Sequence, residues 1–384
     1  MNHVAIIGCG IIGATVAYEL SQVSGLKITV LDRQPPARES TGAALGVLMG
    51  IISQKKVKSR AWKLRRASLD RYETLIPELE ARTDRTIPFN RNGILKLCFA
   101  DENADRNLDK WQKLVEIRAQ EGLKLEIWPN DRVRDRFGYL NCNNIIAAIA
   151  SPGDRQIDPV ALTQALVEAA QAAGVTFDFD AIVTGATSEK ISEERVCQQI
   201  HYHSPASPSI QQFIRADWVV VAAGLGSTPF TETLGQLVDI RPVVGQALRL
   251  RLDKPLAENE PVITGNDIHI VPLGNAEYWL GATVEFPPDA EEGDSGESDS
   301  GNLVAEFDRL ETMMAEAIEF CPSLANAEIL RQWSGLRPRP QGRPAPIIGK
   351  LPGYRNVLLA TGHYRNGVLL APATALEIRQ AIEY

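Results

Sequence analysis

Residues 4–20, VAIIGCGIIGATVAYEL, followed by the apolar run Ile28, Thr29, Val30, Leu31 and the acid Asp32, leave few folds open. An apolar strand, a Gly8-x-Gly10-x-x-Gly13 turn, a helix and a second strand closing on an acid make the strand–turn–helix–strand unit that grips a dinucleotide. Gly8 permits the tight turn, Gly10 lets the backbone approach a pyrophosphate, and Gly13 lets the helix pack close to the strand. Phosphates held at Gly8, Gly10, Ile11 and Ile12 would face the positive end of the helix dipole. Asp32 stands where a ribose hydroxyl needs an acceptor.

At 384 residues the chain exceeds one small core and predicts two domains. A net charge of -8 speaks against general nucleic-acid binding. The first strand begins by residue 3 or 4, leaving no room for a targeting segment, and no apolar run reaches the roughly 20 residues a membrane span needs. A cytoplasmic protein is expected. Cys9, Cys98, Cys142, Cys197 and Cys321 form no CxxC pair, so neither a disulfide framework nor a zinc site is expected, and each reads as a small buried hydrophobe. His201 and His203 share a strand face without an evident third ligand, which predicts surface histidines and no metal site.

Periodicity predicts a helix over 59–82 with Trp62, Leu69, Tyr72, Leu75, Ile76 and Leu79 on its apolar stripe, then a strand over 93–99. Asp158 and Pro159 predict a capped helix start, with a glycine stop at Gly174, before a strand over 175–179. The apolar run 216–223, ending at Gly224, predicts a parallel strand covered on both faces. Residues 241–252 and 262–286 predict shorter, alternating strands of an antiparallel sheet in a second domain. The run 287–301 carries six acids and nothing aliphatic larger than alanine, which predicts a mobile loop. A helix near 302–320, a strand over 356–361 and a closing helix over about 372–383 complete the pattern.

The segments Ser40-Thr41-Gly-Ala-Ala-Leu-Gly46, VVVAAG at 219–224, Trp333-Ser-Gly-Leu-Arg337-Pro and Ala360-Thr-Gly-His-Tyr-Arg-Asn-Gly-Val-Leu-Leu-Ala-Pro372, together with GCGIIG, resemble the D-amino-acid oxidase superfamily of flavoproteins, most closely glycine oxidase. The resemblance spans essentially the whole chain. It implies an α/β fold: a discontinuous Rossmann-like FAD-binding domain (1–88 with 152–235 and 335–384) and a second, α+β substrate domain built on an antiparallel sheet (89–151 with 236–334). It implies noncovalent FAD, since no residue matches the cysteine that attaches flavin in sarcosine oxidases. Asp32 with Arg33 would bind the adenosine ribose. Ser40, Thr41, Ala44, Leu45, Gly46 and Val47 would pass the pyrophosphate and the flavin ring, with Gly224 in the same wall. The run His363, Tyr364, Arg365, Asn366, Gly367, Val368 and Leu369 would set backbone donors against the flavin C2 carbonyl.

The implied reaction is oxidative deamination of glycine or a small D-amino acid. The carboxylate would sit on Arg337, whose guanidinium fork suits it, a hydride would pass from the alpha carbon to flavin N5, and the imine would leave. Arg365 aligns with a substrate contact. The implied partners are the small amino acid, dioxygen or another electron acceptor and, left open, further copies of the chain. Several readings stay open. Val183 is either an adenine contact or core. His269 stands where glycine oxidases have a tyrosine that bonds the substrate carboxylate, and either replaces it, donating a hydrogen bond and carrying charge near neutral pH, or marks a different substrate. The basic run 55–66, with seven Lys and Arg, is either a solvated helix face or an attractor of anions. A dehydrogenase using a quinone or carrier, or a flavin-binding assembly protein with little catalysis, are the alternatives.

Overall fold

The computed structural model describes residues 2–101, 104–286 and 307–383. The acidic run 287–301 therefore lies outside the described residues, and the helix expected near 302–320 is described from Phe307 to Phe320. Among the described residues the strands make one sheet of six, one of eight and two of three.

The six-stranded sheet runs in the order Ile347–Lys350, Val357–Thr361, Trp218–Val221, Asn2–Ile7, Leu26–Asp32 and Thr176–Phe179. Every neighbouring pair is parallel except the first, which is antiparallel. Alternation along Asn2–Ile7 sends Val4 and Ile6 into a core shared with the helices Ile11–Ser21, Arg60–Arg82, Pro159–Ala172 and Gly367–Glu383. Ala5 and Ile7 point the other way, against Cys197 and Ile200 of a small antiparallel sheet. The parallel strands are thus covered on both faces, which is why they read as continuous apolar runs. All five cysteines are buried and free.

Local chemistry explains several boundaries. Asp158 Oδ1 accepts from Val160 and Ala161 N–H at 2.8 and 3.0 Å and starts the helix Pro159–Ala172. Ser59 caps the long helix Arg60–Arg82, whose expected apolar stripe is buried. The parallel strand expected over 216–223 is shorter, Trp218–Val221, because Ala222 and Ala223 turn out of the sheet toward a 3-10 turn at Gly224–Gly226.

The eight-stranded sheet is antiparallel apart from one parallel pairing, Val262–Gly265 with Ile94–Phe99. Leu310, Met313, Ala317 and Phe320, spaced along one face of Phe307–Phe320, close its core. Its strands were expected to be short, yet Ile240–Arg251 spans 12 residues and Glu328–Pro340 spans 13. Glu328–Pro340 is the outermost strand, where Pro338 and Pro340 lose no ladder bond that a central strand would need. It runs continuously through the expected 334/335 domain boundary.

The closing helix starts at Gly367, five residues before the expected 372, and contains Pro372. Proline has no N–H for the carbonyl four residues back. That carbonyl, Val368 O, instead accepts from Tyr72 Oη at 2.5 Å, and Ala373 N–H donates to Ser68 Oγ at 3.1 Å. Two side chains of the long helix thereby mend the break.

Candidate active site

A cavity of about 500 Å³ lies between the parallel sheet and the edge of the eight-stranded sheet. Its first end is made by the Gly8–Ile12 turn. Gly8 sits at φ +101, and a Cβ there would lie 2.6 Å from Ala222 O, so only glycine fits. Gly13 does not line the cavity; a Cβ on it would lie 1.9 Å from Gly8 O, the close helix–strand packing expected of it. Gly10, Ile11 and Ile12 present the helix start to the cavity, and Ile11 N–H donates to Thr41 Oγ1 at 3.0 Å. Asp32 accepts from Cys9 N–H at 2.5 Å and Gln34 N–H at 2.9 Å; burial raises its pKa while these donors oppose the rise. Arg33, at the rim, pairs with Glu39 at 3.2 Å.

Ser40, Thr41, Ala44, Leu45, Gly46 and Val47 form the next stretch of wall. Gly46 has φ +68, and a Cβ there would stand 1.7 Å from Ile157 O. The outer strand Glu328–Pro340 is stitched to this stretch: Ser40 Oγ donates to Leu336 O at 2.5 Å, Trp333 Nε1 donates to Ala43 O at 3.1 Å, and a Cβ on Gly335 would meet Ala43 Cβ at 2.2 Å. Val183 is half-buried; it lines the cavity and packs on the neighbouring core. Gly224 lines the same wall at φ +57.

The other end collects side chains from distant strands. Arg337 pairs in register with Val243, donates from Nη1 to Val244 O at 2.8 Å, and lies across Gly245, where a Cβ would fall 2.2 Å from the guanidinium nitrogens. Burial lowers its pKa and nearby Arg365 lowers it further. Arg365 is exposed at the mouth, and no carboxylate forms an ion pair with either guanidinium among the described residues. His269, half-buried in the wall, shares a 2.9 Å hydrogen bond between Nδ1 and Thr264 Oγ1. Its expected charge near neutral pH is not retained: burial, together with Arg365, Lys96 and Arg337 against the opposing Asp267, pulls its pKa down to about 4. His269 is a neutral group at this site.

His363, Tyr364, Arg365, Gly367, Val368 and Leu369 complete this end, with Tyr364 at φ +53. His363 is buried and bonded through Nε2 to Thr374 Oγ1 at 2.9 Å, and burial takes its pKa to about 3. Thr374 Oγ1 gives its own proton to Leu370 O, so His363 Nε2 must be the donor. Asn366, expected among the cofactor contacts, is not in the wall; its Oδ1 accepts from Arg65 Nη2 at 3.1 Å. Arg65 in turn leaves the basic run's expected solvated face, being 6% exposed, while Lys55, Lys56, Lys58 and Lys63 remain exposed. His201 bonds Thr187 Oγ1 at 2.7 Å, and no group able to hold a metal occurs among the described residues.

A cavity with helix-start amides and a half-buried acid at one end, small residues along its length and cationic side chains at the other fits an extended dinucleotide. The pattern of the family described as "FAD dependent oxidoreductase" matches residues 3–381. The chain belongs to that family. It is an FAD-dependent oxidoreductase of the glycine oxidase type. The glycine oxidase of Geobacillus kaustophilus is 27% identical, covering 100% of this chain and 94% of the relative. The bifunctional protein ThiO/ThiG of Synechocystis is 30% identical over 99% of this chain and 51% of that protein. The solved glycine oxidase of Bacillus cereus superposes with a TM-score of 0.82 at 25% identity, covering 100% of this chain and 95% of the other. No helix among the described residues is long and apolar enough to cross a membrane.

Sequence reasoning missed Gly245, the packing of Gly335 against Ala43 and the link from Arg65 to Asn366 in this flavoenzyme. Gly245 carries no motif; its role follows from the guanidinium that crosses it in the folded sheet.

Proposed function

We propose that the chain oxidatively deaminates a small amino acid, glycine or a D-amino acid, in the cytoplasm, with FAD held noncovalently and with an imine and, where dioxygen is the acceptor, hydrogen peroxide as products. The observation that carries the reading is Arg337: a half-buried guanidinium with one N–H on Val244 O and the rest of its fork available at the cavity. A partly desolvated cation with Glu285 near but no carboxylate in ion-pair contact is costly, so an arriving carboxylate relieves that cost while being held in one plane. Arg365 adds a second positive charge at the mouth. His269, neutral and fixed through Thr264, offers Nε2 as the nitrogen left for the ligand, in place of a tyrosine hydroxyl.

Gly8, Gly10, Ile11, Ile12, Asp32 and the wall from Ser40 to Val47 would hold FAD, which supplies a hydride acceptor when bound. The rest is positioning. Arg337 fixes the carboxylate, and His269 and His363, both held neutral, do not act as acids that reprotonate the substrate amine. We assign the FAD-holding role to the three segments around the parallel sheet and the substrate-holding role to the eight-stranded sheet. The test is an anaerobic screen of amino acids for bleaching of the flavin absorbance, repeated in air for peroxide. Bleaching by glycine or a small D-amino acid is expected; bleaching only by compounds lacking a carboxylate would defeat the assignment of Arg337.

A further inference from the structure

Arg65, Ser68 and Tyr72 are spaced three and four residues apart on the long helix Arg60–Arg82, so they share one face. That face holds the start of the last helix at three points: Arg65 Nη2 to Asn366 Oδ1 at 3.1 Å, Tyr72 Oη to Val368 O at 2.5 Å, and Ser68 Oγ from Ala373 N–H at 3.1 Å. Two residues before the first of these points stands Tyr364 at φ +53, a conformation a non-glycine residue keeps only when its surroundings impose it. Its neighbours Tyr364, Arg365, Gly367, Val368 and Leu369 form the cavity wall.

Arg65 also carries charge. It is buried, its Nε has no hydrogen-bond partner, and its Nη1 donates to Ala61 O at 3.0 Å. The acid that acts on it is Asp154, and that carboxylate is already saturated by Gly50, Ile51 and Ile52 N–H and Ser151 Oγ. Arg118, equally buried and stacked 3.6 Å over Trp62, stands in the field of the same acid. Two buried guanidiniums therefore act on one buried carboxylate, with only the exposed Glu121 added at Arg118, so the buried cluster keeps a net positive charge that Arg65 carries, through Asn366, to the turn before Gly367.

We propose that Arg65 is a positioning residue for the flavin: through Asn366 it fixes the turn that begins the last helix, and its unneutralised charge makes that wall of the cavity favour the anionic, two-electron-reduced cofactor. The inference rests on FAD binding and not on the identity of the substrate. Uptake of two electrons and one proton turns neutral oxidised flavin into an anion, so a fixed positive charge displaces that equilibrium toward reduction.

The experiment measures the two-electron midpoint potential of bound FAD against a reference dye, and the FAD dissociation constant, on holoenzyme variants. Arg65→Met should shift the reduction equilibrium at least tenfold toward oxidised flavin, a fall of about 30 mV for a two-electron couple. Arg65→Lys keeps the charge and should hold the potential close to that of the parent. Asn366→Ala removes the anchor but not the charge, and should weaken FAD binding roughly tenfold with little change in potential. Should Arg65→Met not accumulate as holoenzyme, Arg65→Gln removes the charge while keeping a donor for Asn366, and is expected to show the same fall. A parental potential in the neutral variant overturns the charge role; a parental FAD affinity in Asn366→Ala overturns the anchoring role.

Discussion

The two ends of the cavity are built by opposite means. At the phosphate end the ligand-facing groups are backbone amides, and the determining residues, Gly8 to Ile12, are contiguous. At the substrate end they are side chains: Arg337 on the outer strand, His269 beyond a hairpin of the same sheet, and Arg365 in the turn before the last helix. A backbone site tolerates little change in sequence because its shape is the chain itself. A side-chain site can be altered one residue at a time, and His269, where the resemblance expects a tyrosine, would be such an alteration.

The largest effect should come from the rigid end. Gly8→Ala forces a Cβ to within 2.6 Å of Ala222 O at φ +101, and the backbone cannot yield without moving the strand. The flavin-to-protein ratio after purification should fall about tenfold or more, as expected where strain at positive φ adds to a backbone clash of several kcal/mol in all. Full flavin content would show that the turn is more pliable than the contrast requires. At the other end, Arg337→Met should keep FAD, yet lose the charge-assisted carboxylate pair, on the order of 2 to 5 kcal/mol. That corresponds to a fall in kcat/KM of about 30-fold to several thousand-fold. An equal loss of flavin in this variant would erase the distinction between the two ends.

The same contrast explains what could be read in the chain. The glycine turn, Asp32 and the Asp158–Pro159 helix start are signals contained within a few residues, and each folds as read. The outer strand Glu328–Pro340 could not be seen as a strand. It holds two prolines and a glycine, and is stable because 12 of its residues pair with Ile240–Arg251 far away in sequence. The last helix was placed late because Pro372 looks like a start, and its repair by Ser68 and Tyr72 lies about 300 residues upstream. Arg337 stood out only through the family resemblance at GLRP; its partner Gly245 had no local signal at all.

Acid should probe the side-chain end in particular. His363, 3% exposed, has a folded pKa of about 3. The unfolded value is near 6.5, so between the two the unfolded chain binds the proton first. Its stabilising contribution is complete above pH 6.5 and is lost as pH falls toward 3, amounting to at most about 5 kcal/mol. Melting curves at pH 7 and 4 should differ less for His363→Gln than for the parent. For His269, held near 4, the log of kcat/KM should show no step near pH 6.5 that His269→Gln removes. A step at that pH, lost in the variant, would mean that His269 is charged during turnover.

The smallest expected effect tests whether the phosphate end is finished before its ligand arrives. Thr41 Oγ1 accepts from Ile11 N–H, one of the orphan donors at the helix start, and Thr41 is buried. Thr41→Val keeps the shape and leaves that donor without its acceptor, a cost of about 1 kcal/mol. In the apoprotein this should lower the melting temperature by about 1 °C. With FAD bound, the outcome depends on what the amide does. If a phosphate oxygen takes over the Ile11 N–H, the holoenzyme should lose less than the apoprotein, because the ligand supplies the acceptor that threonine gave up. If both forms lose the same amount, the Thr41 bond persists in the complex, and the phosphate end is a preformed mould whose contacts are complete without the cofactor.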